Sequence, residues 1–497
     1  MSDTKLNAVA LYGNFVAMAL LGLFVNPLLI HNLGAADFGI WKSCLRILDL
    51  SGVADGRATQ ALKWIIAHRA NQANVAELRR GIGASIAIWL LWLPLLSLAV
   101  SLVVYALPWL ISSISADKLV ALRWTGTILA ANVILSALLG IPDAVLFGTN
   151  QGYRSMILTT FYMVVSNAAM VAVTWAGYGL PALGLVVFTS TILNGLSTWL
   201  VARKQVSWWG LAKPRRADIS RFAGFSNWTL VGSLVQMLLL SSELLLIGFL
   251  SGPVTVTKYT LNSYLIQFAL SICLMTGSTI TPKLGALIGG QDLHAAGKMI
   301  TQTREILLGI MAIEGAGVIL LNATFVTTWI GPEYYMGDTL NSLMVIAFLQ
   351  LALIRYDSQV QDVGLKIARK VQVSLLAACT GLFLAGAGYL AFGTLEGLYI
   401  GLILGRMPAT FLVPQMVVGL VPTSQYKSRA IVGLSAIIIA SVLLAPFIHQ
   451  EGWMKLGATS IGAAIVLGLA AYCLIFSAET RTSIADACSF RAPRSSH

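Results

Sequence analysis

Lys42, Arg46, Asp49 and Arg57 stand in one short stretch of an otherwise apolar sequence. At about 100° per residue in a helix, Arg46 lies about 40° round from Lys42, Asp49 about −20° and Arg57 about 60°. One helix face therefore carries three cations and one carboxylate, while Asp55 points elsewhere. A stripe of this kind can hold an anion through charge-assisted hydrogen bonds, a phosphate above all. The plainer reading is that Arg46 and Asp49, at i and i+3, neutralise each other while Lys42 snorkels outward.

Other ionisable residues interrupt apolar runs further along. Gln350, Asp357 and Gln361 share one helix face, and Arg355, Gln359 and Asp362 share another; ordinary solvation near a helix end is the alternative for both groups. Arg355 and Asp357 are candidates for substrate contact. Gln236 and Glu243, seven apart, share a face with Ser233 nearby, and Glu243 is deep enough to need a partner or a proton. Glu243 and Asp49 are the candidates for ion coupling. Glu314 and Arg406 are deep but isolated, and can pair across a bundle; Asp143 reads as a helix-end residue. Asn26-Pro27 removes a backbone donor and bends its helix, which suits a gate.

The elements that hold these residues follow from composition. Of 497 residues, 57% are apolar and only 10% charged, and mean hydropathy is +0.81. An ordinary soluble domain is about 25% charged, and single soluble cores stop growing near ~250–300 residues. The chain therefore uses lipid as its solvent, which excludes soluble enzymes, secreted disulfide scaffolds and disordered tails. Its long continuous apolar runs lack the alternation of a β-barrel, so the predicted fold class is all-α and polytopic.

Fourteen membrane segments are expected, near 9–30, 39–57, 83–107, 122–147, 155–177, 180–202, 224–250, 258–281, 305–329, 339–360, 371–392, 397–418, 431–449 and 456–476. The first is too long, and lacks a small-residue cleavage site, to be a removable signal peptide. With the N-terminus placed in the cytoplasm, 23 Lys and Arg fall in inside loops, 4 in outside loops or at their edges and 5 deeper within segments. That bias puts both termini inside and accounts for the net charge of +12 without nucleic acid. The expected organisation is an N-lobe over 1–202, a basic cytoplasmic linker over 203–223, a C-lobe over 224–418, and a final helix pair with a tail over 419–497. Two halves of six helices suggest duplication.

Enzyme chemistry finds little support. Outside loops are short, and no DxD, HExxH, GxSxG or Walker pattern sits at a credible position. The glycines of 285–290 lack the Lys-Ser/Thr of a phosphate loop. Five scattered cysteines with no CxxC form neither a disulfide framework nor a metal cage, so no metal and no cofactor is expected. Most tryptophans lie near segment ends, as an interfacial belt does, although Trp41 beside Lys42 reads as either belt or sugar platform.

The run Leu33-Gly34-Ala35-Ala36-Asp37-Phe38-Gly39-Ile40-Trp41, followed by Leu48-Asp49-Leu50 and Gly52, resembles the Wzx-type polysaccharide flippases, the O-antigen and exopolysaccharide translocases of bacteria. Ser51 interrupts the last element of that pattern. The resemblance implies the fold of the multidrug/oligosaccharidyl-lipid/polysaccharide exporter superfamily: two six-helix lobes in a V around a central cavity, with two extra C-terminal helices. It further implies a cavity lined by segments 1, 2, 7 and 8, favouring Lys42, Arg46, Asp49 and Glu243 over Glu314 and Arg406. The implied substrate is a polyprenyl-pyrophosphate-linked oligosaccharide for lipopolysaccharide or exopolysaccharide biosynthesis, flipped across the inner membrane with proton or sodium coupling. Implied partners are membrane lipid and the polysaccharide polymerase and chain-length machinery. A multidrug/cation antiporter of the same superfamily is the rival, although such proteins usually have twelve segments and an acidic cavity.

Overall fold

The computed structural model describes residues 3–51, 58–69, 74–112, 114–364, 367–422, 426–448 and 452–482. Every regular element among them is helical. Among the described residues, twelve helices are long and apolar enough to cross a membrane, thirteen if a bent pair within one further helix counts as a span. The expected second segment is the exception. Its described part is the 17-residue helix Ala35–Ser51, and the rest of the expected segment, residues 52–57, lies outside the described residues. The chain divides into two compact units, Met1–Thr257 and Lys258–His497.

In the first unit α1 (Asp3–Leu33) meets α2 (Ala35–Ser51) across the single residue Gly34, at φ +80°. Only glycine takes that conformation freely. There follow α3 (Ala58–Arg69), α4 (Val75–Leu110), α5 (Leu119–Leu139), α6 (Ile141–Gly148), α7 (Gly152–Trp175), α8 (Leu180–Gln205) and α9 (Arg216–Ser251), and α10 (Pro253–Asn262) starts here. The segment expected over 122–147 is broken at Gly140, and Pro142 opens α6. The short helix α3 falls where the sequence reading has an inside loop. Its Leu62 and Ile66 are buried with Ile82 and Ile88 of α4 and Val145 of α6.

The basic linker is a packed crossing. Arg79 donates from Nε to the Trp208 carbonyl at 2.9 Å, and the Ala212 N–H donates back to the Arg79 carbonyl at 3.3 Å. A Cβ on Gly83 would stand 2.2 Å from the Ala212 oxygen, so Gly83 admits the strand of chain. Trp208 and Trp209 pack on the α3–α4–α6 core. Asp218 accepts from the Arg215 N–H at 2.9 Å and pairs with Arg80 at 3.4 Å. That cap starts α9 at Arg216, earlier than the expected 224. The contacts group α9 with the first unit, so the compact units part at 257/258.

In the second unit α10 ends and is followed by α11 (Tyr264–Thr279), α12 (Thr281–Gly289), α13 (Leu293–Trp329), α14 (Asp338–Val363), α15 (Ile367–Phe392), α16 (Leu395–Val418), α17 (Ser428–Leu444) and α18 (Trp453–Leu474). The apolar windows of α13 and α14 are 67% and 72% buried, against 6% for α1. These two helices are the unit's centre, so the polar residues they carry must be satisfied internally. Three asparagines do so where α10 breaks into α11. Asn322 donates to the Asn262 carbonyl at 3.0 Å and to Asn341 Oδ1 at 2.8 Å, while Asn262 donates to the Tyr334 carbonyl at 2.6 Å.

Helices α15 and α16 form a hairpin on small residues, the usual device for close approach where lipid supplies no hydrophobic drive. A Cβ on Gly401 would lie 1.9 Å from the Leu384 oxygen, and one on Gly388 2.2 Å from the Gly397 oxygen. Thr380 Oγ1 donates to the Gly405 carbonyl at 2.6 Å. Gly401→Leu is expected to force the helices apart and abolish recovery of monodisperse protein from membranes, read by size-exclusion chromatography. Wild-type yield from that variant would show the seam to be unimportant.

Candidate functional site

In the first unit α2 is fixed along α9 and the start of α10. A Cβ on Gly39 would stand 1.8 Å from the Pro253 oxygen, and one on Gly248 3.3 Å from Ser43 Oγ. Thr257 Oγ1 donates to the Ala35 carbonyl at 2.6 Å. These contacts run antiparallel. Continued by one turn, their register brings Glu243 level with Leu48 and Asp49. Directly beside Glu243, α9 bends by 54° between Leu240 and Ser242.

The charged stripe has a neutral partner. Lys42 Nζ donates to Asn26 Oδ1 at 3.3 Å and lies 5.0 Å from the centre of the Phe38 ring. It thus turns toward α1 and does not snorkel outward. Asn26 is 7% exposed, and Pro27 follows it inside α1. The two gating candidates therefore adjoin the stripe. Arg46 is half-buried one turn from Lys42, and Asp49 is exposed. Among the described residues, no ion pair within 4 Å joins Lys42 or Arg46 to a carboxylate. Arg46 and Asp49 are within electrostatic reach of each other but make no direct ion pair. Arg57 lies outside the described residues, as do Gly52 and Asp55.

The residues that carried the family resemblance build this hairpin. Gly34 makes the turn and Asp37 pairs with Lys118. Phe38 is fully buried, Gly39 admits Pro253, and Trp41 is 2% exposed. Trp41 is therefore a packing residue, neither belt nor sugar platform.

The second unit corrects two readings. Asp357, expected on a cavity face, is fully buried with both oxygens engaged. Arg304 donates to Oδ1 from Nη2 at 2.7 Å and from Nε at 3.1 Å, and Tyr426 donates to Oδ2 at 3.0 Å. Arg304, counted above among loop cations, lies within α13 at 2% exposure, its guanidinium 4.6 Å from the centre of the Tyr426 ring. Burial, with the Asp357 charge beside it, pushes the Tyr426 hydroxyl well above its ordinary range, so it remains a donor. The face shared by Gln350, Asp357 and Gln361 packs on α16 and not on water: Gln350 donates to the Ile403 carbonyl at 3.0 Å and Gln361 to the Val413 carbonyl at 3.1 Å. A lock next to it joins the C-terminal segment to α13. Glu305 accepts from Ser477 Oγ at 2.7 Å and Thr480 Oγ1 at 2.6 Å, and pairs with Lys427.

Arg355 is half-buried, and its buried Nε has no hydrogen-bond partner. Its face-mate Gln359 points toward α11, donating to the Leu274 carbonyl at 3.4 Å. Glu314 accepts from Cys273 Sγ at 3.3 Å, and Arg406 is 1% exposed beside Gly381. No cluster of three His, Cys, Asp or Glu among the described residues is placed to hold a metal ion. In chemical terms, the first unit offers two adjacent cations, two carboxylates near a bend and a helix with an internal proline. The second offers mainly internally satisfied charge.

No family model matches the chain, and no curated protein does. Solved structures do. The fold is similar to that of the lipid II flippase MurJ in an inward closed conformation, with a TM-score of 0.71 at 12% identity, covering 96% of this chain and 99% of that one. It is similar to an outward-facing multidrug resistance MATE family transporter of the MOP superfamily, with a TM-score of 0.58 at 14% identity, covering 84% and 96%. A Vibrio cholerae MATE transporter, VcmN, gives 0.60 at 18% identity, covering 84% and 98%. The chain thus has the all-helical fold of these transporters.

Proposed function

We propose that the chain is a translocase, not an enzyme, that flips polyprenyl-pyrophosphate-linked oligosaccharide repeat units from the cytoplasmic to the outer leaflet of a bacterial inner membrane. The observation that carries this reading is the α2 stripe. Lys42 and Arg46 stand one turn apart, their mutual repulsion is unrelieved by an ion pair among the described residues, and the partner of Lys42 is the neutral Asn26. A pyrophosphate would compensate both cations through charge-assisted hydrogen bonds. The polyprenyl tail meanwhile stays in lipid and the glycan in hydrated space. Arg57, which continues the stripe in the sequence, is a further cation for an anionic head. Similarity of fold to a lipid II flippase over nearly the whole chain supports a lipid-linked cargo.

Alternating access would use the bend at 240–242 in α9 and the proline inside α1, Pro27, with both termini in the cytoplasm. Glu243 and Asp49, level with each other on α9 and α2, would take up the driving proton or sodium ion. Their proximity also favours the second reading, an antiporter of cationic drugs, because two carboxylates near a bend can exchange a cation for a proton.

Reconstituted vesicles decide between the two. Full-length protein is expected to move a fluorescent short-chain polyprenyl-pyrophosphate oligosaccharide between leaflets and to leave a cationic dye gradient unchanged. Dye movement without lipid movement would reverse the assignment.

A further inference from the structure

Glu314 stands apart from the stripe. It lies on α13 and borders a cavity of about 340 Å³ between α11, α13 and α18, large enough for a small drug-sized molecule. The rest of the wall is almost wholly apolar: Phe268 and Ile272 from α11, Val318, Leu321 and Phe325 from α13, and Leu456 from α18. Among the described residues the carboxylate accepts a single hydrogen bond, the weak one from Cys273. Among the described residues no cation forms an ion pair with it. A carboxylate inside apolar walls is costly without a partner.

The cavity has a second electrostatic feature. Glu314 and Phe325 are eleven residues apart on α13, which places them within about 20° on one helix face and about 16 Å apart along it. Phe325 belongs to an aromatic cluster, with Tyr264 stacked at 6.2 Å, Trp329 at 5.0 Å and Trp453 at 6.3 Å between ring centres. The groove is therefore elongated, acidic at one end and aromatic at the other.

We propose that this cavity binds a lipophilic cation, an ammonium head on a long apolar body, with the head at Glu314 and the body running over Val318 and Leu321 toward Phe325. Charge complementarity selects the ligand. A neutral lipid chain fills the walls but leaves the carboxylate unpaired, and an anion is repelled. The site lies wholly within the second unit and does not depend on the flippase reading, so either can fail alone.

The test uses the full chain in neutral lipid nanodiscs and dodecyltrimethylammonium as the probe, with dodecanol and dodecanoate as neutral and anionic controls of equal chain length. Binding is read from the fluorescence of tryptophans near the groove and from thermal shift. Wild type is expected to bind the cation at least about tenfold more tightly than either control. Glu314→Gln is expected to weaken cation binding by about ten- to hundredfold and to leave dodecanol unchanged. Leu321→Trp, which fills the groove and keeps the charge, should block all three ligands. Equal cation affinity in wild type and Glu314→Gln, or dodecanol binding as tightly as the cation, would overturn the proposal.

Discussion

Asp357→Ala is expected to destabilise the second unit by about 3–5 kcal/mol, the usual result of removing one member of a buried ion pair. The substitution leaves the Arg304 guanidinium, 2% exposed, without its carboxylate, and leaves the Tyr426 hydroxyl without an acceptor. Neither group can reach water without opening the seam of α13, α14 and the segment before α17. The double variant Arg304→Met/Asp357→Leu should recover most of the loss, because an apolar pair of similar volume avoids the cost of desolvating both charges. Thermal and denaturant unfolding in micelles, compared across the single and double variants, measures this. A single-variant loss below about 1 kcal/mol is the behaviour of an exposed pair and would return Asp357 to a hydrated cavity.

Arg46→Glu is expected to lower transport of the lipid-linked saccharide by about a hundredfold with little change in folding. Losing a charge-assisted hydrogen bond costs about 1.5–3 kcal/mol, and a carboxylate at that position then repels the pyrophosphate. Arg46 is half-buried, so the reversal need not disturb the core. Arg46→Lys should retain part of the activity, since it keeps the charge and gives up only the planar fork. Initial rates in vesicles, beside unfolding temperature, separate a transport defect from a folding one. Wild-type rates in Arg46→Glu would remove the stripe from the pathway.

Much of the fold is legible in the sequence because continuous apolar runs bounded by charge admit one solution in lipid. The apolar helices longer than about 20 residues fall where hydropathy puts them. The short helices are harder: α3 buries Leu62 and Ile66 yet is too polar overall to register as a segment, and α9 begins at a local Asp218 cap inside what composition marks as linker.

The site is legible as a stripe but not in its partners. Which group faces Lys42 depends on a turn. Asn26 and Lys42 each lie eight residues from Gly34, so a one-residue helical hairpin sets them at the same level. The register about a single glycine was the available signal. Arg304 and Asp357 offered no such signal. They are 53 residues apart, and nothing local distinguishes an arginine buried inside a helix from a loop arginine. The motif that pointed to the family likewise says more about hairpin packing than about cargo, since Phe38, Gly39 and Trp41 are all turned into the helix contacts.

The central claim is that the cations of α2 serve a lipid-linked anionic glycan. Its most direct test is the lipid-linked intermediate pool of a strain deleted for this protein. Polyprenyl-pyrophosphate-linked repeat units are expected to accumulate on the cytoplasmic leaflet while surface polysaccharide disappears, with rescue by wild type and not by Arg46→Glu. An unchanged pool, together with new sensitivity to cationic dyes, would contradict the claim and identify the cargo as a cation.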